Sequence, residues 1–182
     1  MSARFVLVLN CGSSSLKFAV FDAGEGAAGL SRRPVFGGKV EGIGGPAPTL
    51  QAGDDAPRAL ALGAAQPAHD ALAAVLALLR ERLQGAALAG VAHRVVHGGA
   101  HHSAPLLVDA AALAELRSYI PLAPLHQPYA LQAIEILLQD APDVPQVACF
   151  DTAFHHTVPK VEQMLALPRA LWDEGVRRYG FH

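Results

Sequence analysis

Val-Leu-Val-Leu-Asn-Cys-Gly-Ser-Ser-Ser-Leu-Lys, residues 6–17, runs straight into a second apolar stretch, Phe18–Phe21. A buried strand therefore enters a tip of one glycine and three hydroxyls, then leaves as a strand again. The tip gathers backbone N–H groups, beginning at Gly12, and the Ser side chains into one small volume, with Lys17 just behind. Such a tip is a cradle for phosphate oxygens. Gly-Ser clusters between strands more often form plain hairpin turns. A plain turn, however, has no use for consecutive hydroxyls, an Asn at the strand end and a Lys two residues on. The pattern is not the Walker loop, whose Gly-Lys-Ser/Thr opens a helix. Here Leu16–Asp22 alternates and is rich in Phe and Val, so the turn closes onto a strand.

Outward from the hairpin, 182 residues suit one ordinary domain, or a domain with a fragment of another. With 52% hydrophobic and 16% charged residues the chain can bury a core. A net charge of −2 makes no electrostatic case for a nucleic-acid partner. The most apolar stretch, Ala71–Leu79, is too short to span a membrane and meets Arg80, Glu81 and Arg82. The N-terminus carries no secretory pattern, and two cysteines, Cys11 and Cys149, make no disulfide framework, so a cytoplasmic location is expected.

Strands are expected at Phe5–Asn10, Leu16–Asp22 and Pro34–Val40, then a loop from Gly42 to Pro57 with a short strand near Thr49. Leu72, Val75, Leu76, Leu79 and Leu83 fall at helical spacing within His69–Leu83, and Gly85 stops the helix. Gly90–His97 reads as a strand ending in Gly98-Gly99, and Asp109 caps a helix to Tyr119. Pro128–Gln139 follows as a helix and Gln146–Thr152 as a strand. The order predicts an α/β fold, a mixed sheet covered by helices.

Several residues in this frame carry chemistry. Arg94 lies inside an apolar strand, where a cation needs an anion. It either pairs with a structural carboxylate or faces solvent, or its planar fork holds a small carboxylate or phosphate. Regular alternation places His93 and His97 on the opposite face, as supporting groups. His126 precedes a helix, where it is either a surface or capping residue or a group facing an anion at the helix start. Asp151 ends a buried strand, as a helix cap or a ligand-facing carboxylate. The pairs His101-His102 and His155-His156 lack metal-site spacing.

Five strings together resemble acetate kinases: residues 7–18, His-Arg-Val-Val-His-Gly-Gly (93–99), Leu-Ala-Pro-Leu-His-Gln-Pro (122–128), Phe-Asp-Thr-Ala-Phe-His (150–155) and Arg-Arg-Tyr-Gly-Phe-His (177–182). The resemblance implies the actin/Hsp70-like (ribonuclease H-like) fold, in which two duplicated domains close on ATP. It implies the reaction ATP + acetate ⇌ ADP + acetyl phosphate, by direct in-line transfer with Mg²⁺. By motif, Asn10 matches a magnesium- or phosphate-side Asn, Ser13 and Ser15 phosphate-contacting hydroxyls, and Lys17 an ATP-binding Lys. Arg94 matches the acetate-holding Arg, His126 a phosphoryl-contacting His, Asp151 the essential acid and His182 the transition-state stabiliser. Members of the family continue well beyond the position of His182, through the adenosine pocket, a second essential Arg, a magnesium-binding Glu and much of a homodimer interface. The resemblance thus implies a first domain at 1–152 and the start of a second, nucleotide-binding domain at 153–182, a truncated form inactive or nearly so alone. Two other readings stay open: a kinase for propionate or butyrate, and a binding domain that keeps the phosphate hairpin without catalysis.

Overall fold

A computed structural model describes residues 4–24 and 31–181. Strands β1 (Arg4–Cys11) and β2 (Ser15–Asp22) form the expected hairpin, with Asn10 opposite Lys17 and Leu9 opposite Phe18. The hairpin continues as an antiparallel meander through β3 (Phe36–Glu41), β4 (Thr49–Ala52) and the short β5 (Arg58–Ala59). Helix α1 (Pro67–Arg82) then carries the chain back to β6 (Ala87–Val95), which lies parallel to β1 on its other side. After β7 (Leu106–Leu107), α2 (Ala110–Ser118) and α3 (Gln127–Asp140), strand β8 (Gln146–Phe150) pairs parallel to β6. The described residues make one eight-stranded sheet in the order β5-β4-β3-β2-β1-β6-β8-β7. The mixed α/β sheet expected from the sequence is the one found.

Local chemistry explains the boundaries. Pro67 occupies the first turn of α1, where its missing N–H costs nothing. Beyond the helix end Gly85 takes φ +76°, a left-handed conformation that glycine adopts without strain. The Asp109 carboxylate accepts from the Ala112 amide at 2.8 Å, the cap foreseen for α2. Two expected strands stop early. Strand β6 ends at Val95 and β8 at Phe150, because the chain turns there to present loops, and Asp151 opens a 3₁₀ turn running to His155. After that turn come two short helices, α4 (Lys160–Gln163) and α5 (Arg169–Asp173).

Strand periodicity sorts the sheet into two faces. Leu7, Leu9, Leu16, Phe18, Val20, Val91, His93, Val95 and Ala148 are buried on one of them. There they meet Leu72 and Val75 of α1, Leu113 and Leu116 of α2, and Ile134 and Leu137 of α3. Alternate residues, among them Asn10, Lys17, Arg94 and Cys149, point to the other face and stay partly or fully exposed. No helix among the described residues is long and apolar enough to cross a membrane.

Candidate active site

The carboxyl ends of β1, β6 and β8 are adjacent in the sheet, so three residues far apart in sequence converge there. Arg94 donates from Nε to Asp151 Oδ1 at 2.9 Å and from Nη2 to Asp151 Oδ2 at 2.6 Å. This is a fork-to-fork pair of the strong, charge-assisted kind. A longer contact, 3.4 Å, joins Arg94 Nη1 to Asn10 Oδ1. The hydrogen bonds to Asp151 outweigh partial burial and raise the Arg94 pKa further, so the guanidinium stays charged, paired with that carboxylate. Arg94, Asp151, Phe154 and His155 line a depression of about 290 Å³. Lys17 shares the open face with Asn10, its partner across the β1–β2 register.

At the hairpin tip the Gly12 amide donates to Ser15 O at 2.8 Å, and Ser14 O accepts from the Ile43 amide at 3.0 Å. The turn is thereby tied to the loop after β3. Gly12, Ser13 and Ser15 line a second hollow of about 450 Å³, with Gln66 and His69 at the start of α1 and Tyr129 in α3. The two hollows share no lining residue, and Asn10 is the link from hairpin to Arg94. His126 is the N-terminal cap residue of α3, exposed, and makes no side-chain cap bond. It lines neither hollow. His182 lies outside the described residues.

Behind the site stands a polar layer that the sequence motifs did not reveal. Buried Gln127 accepts from the His97 amide at 3.1 Å and donates to His97 O at 2.9 Å and to Leu116 O at 3.4 Å. Thr152 Oγ1 accepts from the Gly98 amide at 3.0 Å. The Gly99 amide donates to His97 Nδ1 at 2.9 Å, which leaves the proton of the neutral ring on Nε2. Burial lowers the His97 pKa and favours that neutral form. Tyr179 stands edge-on to the His97 ring at 4.4 Å, so the segment before His182 is anchored on the same layer. Gly180 is required beside it, since a Cβ there would stand 2.7 Å from the His155 ring. Gln127 lies inside the 122–128 string, but nothing there gives it a role. Its further sequence signal is a polar residue beside a proline at a helix start.

The acetokinase family profile matches residues 5–182 of this chain. The chain belongs to the acetokinase family. It is 48% identical over 181 residues to an acetate kinase of Rhizobium meliloti, covering 97% of this chain and 45% of that protein. An acetate kinase of Deinococcus radiodurans is 43% identical over 182 residues, at 98% and 44% coverage. Among solved structures, Porphyromonas gingivalis acetate kinase superposes with a TM-score of 0.81 at 33% identity, over 100% of this chain and 45% of that one. A propionate kinase from Francisella tularensis gives 0.82 at 34% identity, with the same coverage. This acetokinase-family chain therefore spans a little under half the length of the relatives it matches.

Donor chemistry around Arg94 is compatible with a hard cation. The oxygen donors there are Asn10 Oδ1 and the Asp151 carboxylate, each on a different part of the Arg94 guanidinium. No group of three or more His, Cys, Asp or Glu able to hold a metal occurs among the described residues. Two oxygen donors of this kind would leave most of a bound hard cation's coordination to water and to substrate oxygens.

Proposed function

We propose that this chain carries the acyl-acceptor half of an ATP-dependent acetate kinase, which moves the γ-phosphoryl group of ATP directly to acetate and gives acetyl phosphate and ADP. The observation that carries the reading is the Arg94–Asp151 fork, tied to Asn10 at the end of the hairpin strand. Phosphoryl transfer asks little covalent chemistry of a protein. It asks for alignment and for positive charge around the moving group.

In this mechanism Arg94 holds the acetate carboxylate in line with the phosphoryl group and exchanges part of its fork from Asp151 to the substrate. Acetate is already ionised at neutral pH, so Asp151 need not take a proton from it. Asp151 instead holds the guanidinium at a fixed angle. The hairpin N–H groups, Gly12, Ser13, Ser15 and Lys17 receive the nucleotide's phosphate oxygens. By the family resemblance, His126 and His182 would be the groups that contact the phosphoryl group. Asn10 and Asp151 would be the residues to hold a magnesium ion, which would supply charge neutralisation around the transferring group.

Residues 1–152 form the first domain in this reading, and 153–182 open the second. The relatives' length supports the expectation that the 182-residue chain alone turns over little, its nucleotide pocket and homodimer contacts lying in the rest of such proteins. A cytoplasmic setting accords with two unpaired thiols, Cys11 and Cys149. The test is an NMR titration of the chain with acetate and with MgATP, alongside an assay for acetate-dependent ADP release. Acetate should shift the Arg94 side-chain signals and MgATP the Gly12–Lys17 amides. Acetate shifts that persist unchanged in Arg94→Ala would remove Arg94 from the acceptor site. The likeness to a propionate kinase favours a second reading, a longer acid as acceptor. Comparing acetate with propionate decides it, since one methylene changes discrimination by roughly 10- to 200-fold.

A further inference from the structure

At the opposite end of β6 from Arg94, the sheet and two helices leave a gap. Helix α1 ends at Arg82 and α3 at Asp140, and β6 begins at Ala87, so the last turns of both helices overhang the first residues of the strand. The gap is a groove of about 400 Å³. That volume lies within the range of small-molecule sites. Its floor is true core, because Leu79, Val91 and Leu137 are only 2–3% exposed. Leu76 of α1, Leu83 just past its end, Leu88 of β6 and Val144 before β8 form half-buried walls. No aromatic ring and no uncharged polar side chain enters the lining.

One charged residue does. Arg80 is exposed on the last turn of α1 and is the sole ionic group of the groove. Its neighbour Arg82 is engaged with Asp55, whereas no carboxylate partner of Arg80 occurs among the described residues. Backbone donors at the rim are spent. The amides of Leu83, Gln84, Gly85 and Ala86 all donate to carbonyls of α1 or its closing turn. A phosphate would therefore find one guanidinium and no N–H cradle, but a single carboxylate matches that one fork. Aliphatic walls with a single cation at the edge fit one chemical class.

We infer that the groove between α1, α3 and the start of β6 binds a medium-chain aliphatic carboxylate, its hydrocarbon tail between Leu76, Leu83, Leu88 and Val144 and its head on Arg80. The site is separate from the proposed acceptor site. Leu88 and Arg94 stand six residues apart on one strand, about 20 Å. The inference does not depend on the proposed activity.

The experiment titrates the 182-residue chain with butyrate, hexanoate, octanoate and decanoate, each below its micelle concentration, by calorimetry and by methyl NMR. Each added methylene that enters the groove should tighten Kd about fourfold, and the Leu76, Leu83 and Val144 methyls should shift. Arg80→Ala should weaken octanoate two- to fivefold, as expected for an exposed ion pair, while octanol binding stays unchanged. Ala141→Phe, which fills the groove, should weaken both by tenfold or more. Absence of chain-length dependence would overturn the inference, as would equal effects of Arg80→Ala on octanoate and octanol. Displacement of octanoate by acetate, with shifts at Phe154 and His155, would place the ligand at the acceptor site and overturn it too. So would a concentration-dependent dimer abolished by Ala141→Phe, which would assign the groove to a second copy of the chain.

Discussion

His93 and Arg94 are consecutive on β6 and face opposite sides of one sheet. His93 is 1% exposed, hydrogen-bonded to Gln146 at 2.8 Å, and its Nδ1 has no hydrogen-bond partner. Burial drives its pKa down to about 4, so it is a neutral core residue at physiological pH. Arg94, one step along, keeps 40% of its side chain exposed and spends its charge on Asp151 and Asn10. The helix-covered face is built for stability and the open face for chemistry. A substitution on the first should register in unfolding, and one on the second in ligand binding.

The strongest test of that division is Leu9→Ala on the covered face. Leu9 is 1% exposed in the central strand, and the cavity should cost about 2–5 kcal/mol in urea unfolding. An effect below 1 kcal/mol would break the comparison. A pH experiment comes next. Between pH 6.5 and 4 the unfolded chain protonates at His93 while the folded chain does not, so stability falls as pH drops through that window. The loss attributable to His93 is about 3 kcal/mol in all. The His93→Gln variant should lose that much of the slope, measured by unfolding midpoints at several pH values. At the rim between the faces, Gly99 has φ +66°, and a Cβ there would stand 2.4 Å from the Tyr119 ring. Gly99→Ala should therefore cost about 1–3 kcal/mol. The smallest stability effect belongs to Arg94→Ala. Its pair with Asp151 is part-exposed and screened, so unfolding should change by less than about 1 kcal/mol, while the acetate-induced shifts disappear. A large loss of stability in that variant would mean that the open face is structural after all.

Much of this was legible in the residues. The hairpin, α1, the Asp109 cap and the alternation that separates His93 from Arg94 all follow from local patterns, because each is decided within a few residues. What spacing could not give was pairing at a distance. Arg94 and Asp151 are 57 positions apart, and an arginine in an apolar strand left open whether its anion was internal or a ligand. The internal answer depends on β6 and β8 being neighbours, a fact of topology. Strand ends were overrun for a related reason. Val96 and His97 are buried like strand residues, yet their environment comes from α3 and the 151–155 turn, and only three dimensions show that. The two-residue strands β5 and β7 have no period to read.

The Gln127 carboxamide presents the His97 peptide with one acceptor and one donor, the same complement a further strand residue would offer. It acts as a one-residue splice, extending the ladder past the place where its neighbours peel away. Because Gln127 opens α3 and His126 precedes it, the splice couples the helix start to the strand tip. The imidazole and the guanidinium-bearing strand should therefore shift in concert when the site is filled, as parts of one rigid block.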